Sequence, residues 1–190
     1  MNRKIKLKIA LKDIVPAIWR QVIVSHELTL RELHGVLQGA MEWSDCHLHS
    51  FLIDGREYHL PDSEEEICET DSLDERNYTI GDVLKGISRF SYYYDFGDKW
   101  CHEIDVEESC TDLELCMKTP VCVAGERACP PEDCGGVSGY WEYVDAITNP
   151  EHPRHDEMMV WSGPYDPSCF SPSQATHMIT AIRTIYQIQG

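Results

Sequence analysis

The chain of 190 residues has no apolar run near the roughly 20 residues that a membrane-spanning helix needs. No leader peptide is expected either. The first apolar residues alternate with lysines, so the expectation is a cytoplasmic protein with no membrane contact. Basic residues are scarce: 16 Lys and Arg stand against 33 Asp and Glu, a formal net charge of −17. An acidic surface repels a phosphate backbone, so general nucleic-acid binding is not expected. Cys-x-x-Cys knuckles are absent, and the nine cysteines are odd in number. That count fits poorly with a fully paired disulfide framework and fits reduced thiols. Cys110, Cys116, Cys122, Cys129 and Cys134 are separated by gaps of four to six residues, wider than structural zinc pairs. They read better as small buried hydrophobes.

The charge is uneven. Residues 1–20 carry Arg3, Lys4, Lys6, Lys8, Lys12 and Arg20 against Asp13 alone, which leaves −22 on the remainder. The alternation of Ile5, Leu7, Ile9 and Leu11 with lysines predicts a strand with one wet face, and the lysines suggest a solubilising sheet edge. Residues 18–24 form a second strand. A helix follows over 28–43, with a capping box at Thr29 and Glu32 and an apolar face of Leu30, Leu33, Leu37, Ala40 and Met41. His34 falls near that face and reads as a packed core histidine. Residues 47–53 form a strand that places His47, His49, Phe51 and Ile53 on one face, and Asp54-Gly55 turns it into a hairpin. The two histidines could hold a metal or flank a pocket; half-exposed cross-strand partners are the plainer reading. Residues 61–76 are an acidic, solvated loop.

The chain is organised around residues 91–103. Tyr92, Tyr93 and Tyr94 lead into a turn at Asp95-Phe96-Gly97-Asp98, and Trp100 leads out, the composition of a β-hairpin tip. Asp95, Asp98 and His102 sit among large aromatic rings. A carboxylate there is desolvated unless it is paired, which makes a site. Alternation sends His102 to the apolar side of its strand, with Trp100, Ile104 and Val106. Strict alternation also puts Asp95 and His102 on opposite faces. Further on, Pro130-Pro131-Glu132-Asp133-Cys134-Gly135-Gly136 is a stiff loop with a flexible exit, able to fix Glu132 and Asp133 or to cap the next helix. A helix over 140–147 ends at Asn149-Pro150. His155 and Asp156 lie in a polar loop with metal-capable side chains, though Asp156 also suits a helix cap. Ser171-Pro172-Ser173-Gln174 opens a last helix whose core face includes Ala175, Met178, Ile179 and Ile182.

Five stretches together resemble one family. Pro16-Ala17-Ile18-Trp19-Arg20 is similar to its P-x-I-W-R element, and Leu33–Gln38 to its L-H-x-x-(I/L)-Q helix. His47–Phe51 is similar to its H-L-x-x-F strand, and Tyr94–His102 to its Y-D-F-G-D-x-W-x-H signature. Pro130–Gly136 followed by Tyr140 matches P-P-E-D-x-G-G-x-x-G-Y. The chain is identified by this resemblance as a member of the plasmid pRiA4b open-reading-frame-three-like family, also met in insertion elements. The resemblance implies an α+β domain with a mixed or antiparallel sheet. The expected architecture is a single domain over 1–190, with a helix after the second strand and a C-terminal helix packed on it. A resolvase-like label sometimes attached to the family finds no support, because a serine recombinase needs an activated Ser among clustered arginines.

Three functions compete. In the first, the chain is a non-catalytic binding or assembly module of a mobile-element system. Its recognition surface for an unknown protein or small-molecule partner is built from Tyr94, Asp95, Asp98, Trp100, His102, Glu132, Asp133, His155 and Asp156. In the second, the chain is a hydrolase or nuclease in which Asp95, Asp98, His102, Glu132, Asp133, His155 and Asp156 converge on a divalent metal. In the third, the same groups are a structural polar network.

Overall fold

The computed structural model describes residues 3–61, 72–107 and 120–189. Cys110, Cys116 and residues 62–71 of the acidic stretch lie outside the described residues. In chain order the strands are β1 (Lys4–Leu11), β2 (Trp19–Ser25), β3 (His49–Ile53), β4 (Arg56–His59), β5 (Leu73–Asp74), β6 (Arg89–Tyr94), β7 (Trp100–Glu107) and β8 (Val121–Glu126). The helices are α1 (Leu30–Met41), α2 (Ile80–Val83), α3 (Gly136–Thr148), α4 (His155–Ser162) and α5 (Pro172–Gln189), with a 3-10 turn at Glu75–Asn77. The eight strands form one sheet in the order β5-β4-β3-β6-β7-β1-β2-β8. Every pairing is antiparallel except β4 with β5, so the sheet is mixed and the class is α+β.

Alternation along the central strands sorts side chains between two faces. Leu7, Ile9 and Leu11 of β1, Val22 and Val24 of β2, and Phe90, Tyr92 and Tyr94 of β6 join Trp100, His102 and Ile104 of β7 in burial. α1 lies on this core. Its capping box is complete: Thr29 Oγ1 accepts from the Glu32 N–H, and the Glu32 carboxylate accepts from the Thr29 N–H. α5 packs across α1 so closely that a Cβ on Gly39 would collide with the Ile179 backbone. The C-terminal helix thus rests on the helix after the second strand. Arg20 pins this layer to the sheet. It is fully buried, donates to the carbonyls of Ala40, Trp19 and Glu126, and lies 4.0 Å over the Phe170 ring.

The lysines of β1 do not mark a sheet edge, because β1 lies between β7 and β2. They oppose the acidic face of β7: Lys6 pairs in register with Glu107, Lys8 with Asp105. Lys6 Nζ lies 3.7 Å from Glu107, and Arg89 of β6 bonds Asp105 at 2.6 Å. The basic start of the chain is therefore matched by a neighbouring acidic stripe, an arrangement invisible without the strand order. β8 is a second feature that no local pattern announced. Only Cys122 of this strand is buried, so its alternation is weak, and a bulge at Gln21/Val22 offsets its register on β2. The end of the acidic stretch is a third. Leu73–Asp74 pairs with β4, and Glu75 in the following turn is completely buried rather than solvated.

Candidate functional site

The hairpin tip and the Pro-Pro-Glu-Asp loop meet. Asp95 sits at the end of β6 in the left-handed region (φ 56°), and its Oδ1 accepts from the N–H groups of Gly97 and Asp98 at 2.9 and 3.3 Å. This side-chain turn closes the hairpin and points the other oxygen away. Asp98 reaches across to the loop, where its Oδ2 accepts from the Gly135 N–H at 3.0 Å. Gly135 is the cap residue of α3, and no side chain of the loop itself caps that helix. Asp98 therefore places its charge at the helix start, and Glu132 and Asp133 are released from the capping role considered for them. Gly136 has φ 67° and leaves no room for a Cβ beside the Asp98 carbonyl oxygen, so the contact needs glycine.

Tyr94 is the hub below. Its hydroxyl accepts from the Cys46 N–H at 3.1 Å and donates to Glu132 Oε1 at 2.6 Å, while Glu132 Oε2 accepts from the Ser44 N–H. Burial, followed by the adjacent Glu132 carboxylate, pushes the Tyr94 hydroxyl pKa upward, so it remains a donor. Trp43 stacks on Tyr94 at 5.0 Å and donates its Nε1–H to the Pro130 carbonyl. These bonds fix the loop, and Asp133 at its tip is left 71 % exposed. Asp133 Oδ1 lies 3.1 Å from His47 Nε2, and Asp95 Oδ2 lies 3.7 Å from the same nitrogen. Phe96 and Leu48 are exposed on either side of Asp95, whose N–H bonds the Leu48 carbonyl. Asp133 also borders a cavity of about 350 Å³ walled by Tyr143, Arg154 and Trp161. A separate cavity of about 540 Å³, beside Arg3, His26, Gly81 and Lys85, shares no residue with this ledge.

Behind the ledge, under α1, lies a closed polar network. Gln38 donates to the Tyr92 hydroxyl at 3.0 Å, so that hydroxyl donates its own proton to His34 Nδ1 at 2.7 Å. His34 is then protonated on Nε2 and donates to Asp45 at 2.6 Å. His49 stacks on His34 with centroids 3.4 Å apart and bonds Glu75 at 2.8 Å. Arg31 lies 3.8 Å from Asp45 and 3.6 Å from Glu75. Burial first, then His49, pushes the His34 pKa down to about 4 against the pull of Asp45, so the ring is neutral near pH 7. His34, Asp45, His49 and Glu75 are metal-ligand types. Parallel rings this close cannot both aim an in-plane lone pair at one ion, however, and the contacts are hydrogen bonds.

Of the nine residues expected to form a site, Asp95, Asp98, Glu132 and Asp133 gather at the ledge. Tyr94 supports them from beneath. Trp100 is 1 % exposed and forms part of the floor, so it cannot touch a partner. His102 is fully buried, 3.3 Å from the Tyr92 carbonyl and edge-on to Trp43, with no carboxylate paired to it among the described residues. The seven-residue convergence on a metal is therefore not formed: among the described residues, only Asp95 and Asp133 of that set share a cluster of metal-ligand type. His155 opens α4 and donates to the Ala146 carbonyl, and Asp156 follows it, exposed, in the first turn without a capping bond. Sequence reasoning weighed His47 with His49 as a metal or pocket residue but preferred a cross-strand partner, and it passed over Asp45 and Glu75. Their partners come from remote segments, and no local spacing announces them.

A family model described as plasmid pRiA4b ORF-3-like protein matches residues 3–174. The chain belongs to this family. Four of the five stretches that carry the resemblance meet in space: His34 and Gln38, His47 and His49, Tyr94 to Asp98, and Glu132 to Gly135 line one spine from network to ledge. Uncharacterized protein y4hQ of Sinorhizobium fredii (strain NBRC 101917 / NGR234) is 35 % identical over 164 residues, covering 85 % of this chain and 82 % of that protein. The crystal structure of a protein of unknown function, MM3350 from Methanosarcina mazei Go1, shares the fold with a TM-score of 0.79 at 30 % identity. The match covers 90 % of this chain and 96 % of that one. Among the described residues of this plasmid pRiA4b ORF-3-like protein, no helix is long and apolar enough to cross a membrane.

Proposed function

We propose that the protein is a non-catalytic binding module of a plasmid- or insertion-element-borne system, with the ledge as its binding surface. One observation carries this reading. The hairpin tip and the Pro-Pro-Glu-Asp loop are locked together by Asp98–Gly135 and Tyr94–Glu132, yet Asp133, Phe96 and Leu48 are left open around an acidic notch. Rigid support beneath exposed aromatic and charged groups lowers the ordering cost of binding. Asp98 and Glu132 are taken up by hydrogen bonds to the ledge's own frame, which makes them supports of the surface.

The test is a photo-crosslinking amino acid placed at Phe96 and, separately, at Lys8 on the opposite sheet face, in the cells that produce the protein. A discrete adduct is expected from position 96 and none from position 8, and Leu48→Ser should remove it. Equal adduct patterns at the two positions would sink the reading.

A further inference from the structure

We propose that His47, Asp95 and Asp133 form a divalent-cation site in the notch of the ledge. The inference rests on reading the ledge as a binding surface and names what fills its notch. The three donor atoms lie within 4.8 Å of one another and come from three separate segments. His47 Nε2 is shielded from water and makes no hydrogen bond, although two carboxylate oxygens face it at 3.1 and 3.7 Å. With its proton on Nδ1 the imidazole turns a lone pair toward the two carboxylate oxygens, and a cation at the centre would satisfy all three acceptors.

The two distances from His47 suit this. Two ligands each about 2.1 Å from one ion stand 3.1 to 3.7 Å apart when they subtend about 95° to 125° at the metal. The support suits it as well. Asp95 is 8 % exposed, and its Oδ1 is held by the turn N–H groups, which leaves Oδ2 aimed at His47. Such outer hydrogen bonds orient a ligating carboxylate. Asp133 comes from the other side, on a left-handed residue at φ 59°. One imidazole nitrogen and two carboxylate oxygens suit zinc, manganese or ferrous iron, and the exposed side at Asp133 leaves coordination positions open to water or to a donor atom of a bound partner.

The experiment titrates the full chain with zinc chloride alone by calorimetry and, in parallel, records the visible spectrum with cobalt(II), which separates nitrogen and oxygen ligands from thiolates. One equivalent is expected, with a nitrogen–oxygen spectrum. Asp133→Asn and His47→Gln should each weaken binding at least about tenfold, since even outer-layer changes cost this much. Asp133 is surface-exposed, so its variant keeps the fold, and an unchanged metal-free melting curve verifies that. Three results overturn the site: no stoichiometric binding, a thiolate spectrum, or affinity equal to wild type in both variants. No stoichiometric metal, with the adduct at position 96 retained, would refute the ion and spare the ledge. Stoichiometric metal without any adduct would do the reverse.

Discussion

His47 and His49 are two residues apart, lie over the same face of the sheet and each meet carboxylates, yet they occupy opposite kinds of surroundings. His49 belongs to a buried set beneath α1 in which Gln38, Tyr92, His34 and Asp45 supply one another with donors and acceptors, and Glu75 takes His49 on one oxygen and faces the Arg31 guanidinium at 3.6 Å with the other. His47 belongs to an open set in which the nearest polar atoms are acceptors and one of them is mostly in water. Similar groups thus do two jobs, and what separates them is whether the protein itself completes their bonding. A buried network that is completed internally holds the fold and costs heavily when broken. An incomplete one at the rim costs the fold little and leaves valence for a ligand.

The sharpest way to break this contrast is to delete each imidazole. His49→Ala strands the Glu75 carboxylate, which is 0 % exposed, with Arg31 at 3.6 Å as its one remaining charge partner among the described residues. The expected loss is about 3–5 kcal/mol of unfolding free energy. His47→Ala should cost less than about 1 kcal/mol. Urea unfolding of the two variants decides, and equal losses would erase the distinction between closed and open sets.

Acid should find the closed region next. Burial holds the pKa of His102 down to about 4 and that of His34 likewise, against about 6.5 for an unfolded chain. As pH falls below about 6.5 the unfolded state takes up these protons first, so the native state loses stability. The loss develops down to about pH 4, and the contribution is fully present above 6.5. Each histidine accounts for up to about 3 kcal/mol over that window. Urea midpoints between pH 7 and 4 should fall steeply, and His102→Gln should flatten the slope. An unchanged slope in that variant would assign the acid sensitivity elsewhere.

Between core and rim stands the joint at Gly136. Alanine there must take a left-handed φ and push the Asp98 carbonyl away, an expected cost of about 1–3 kcal/mol. The adduct at position 96 should weaken along with the melting temperature. Loss of stability with a fully retained adduct would mean that the ledge does not need its joint.

Much of this frame was legible before any coordinates. The capping box at Thr29, the Asp54-Gly55 turn, the aromatic hairpin and the amphipathic last helix are all local patterns, and local patterns fix local structure. The meeting of hairpin and loop was hinted at only by their shared unusual chemistry. The strand order, which sets Lys6 against Glu107 and buries Glu75, is non-local, and no spacing rule reaches it. His47 shows the same limit. Its role depends on Asp95 and Asp133, 48 and 86 positions further along the chain.

The smallest effect expected is also the most specific to the joint between the two regions. Asp98→Ala removes the acceptor for the Gly135 N–H at the start of α3. The bond is solvent-accessible, so its loss should cost only about 0.5–1.5 kcal/mol, and the melting curve will hardly register it. Hydrogen exchange will. The Gly135 amide has Asp98 as its acceptor and should exchange faster in the variant, whereas Leu33, whose N–H bonds the Thr29 carbonyl in the first turn of α1, should keep its protection. Acceleration confined to residues 135–140 would show that the hairpin tip anchors the loop and that the closed network stands without it. Acceleration spreading into α1 would mean that ledge and network open as one unit, and the two histidines would then report a single cooperative structure.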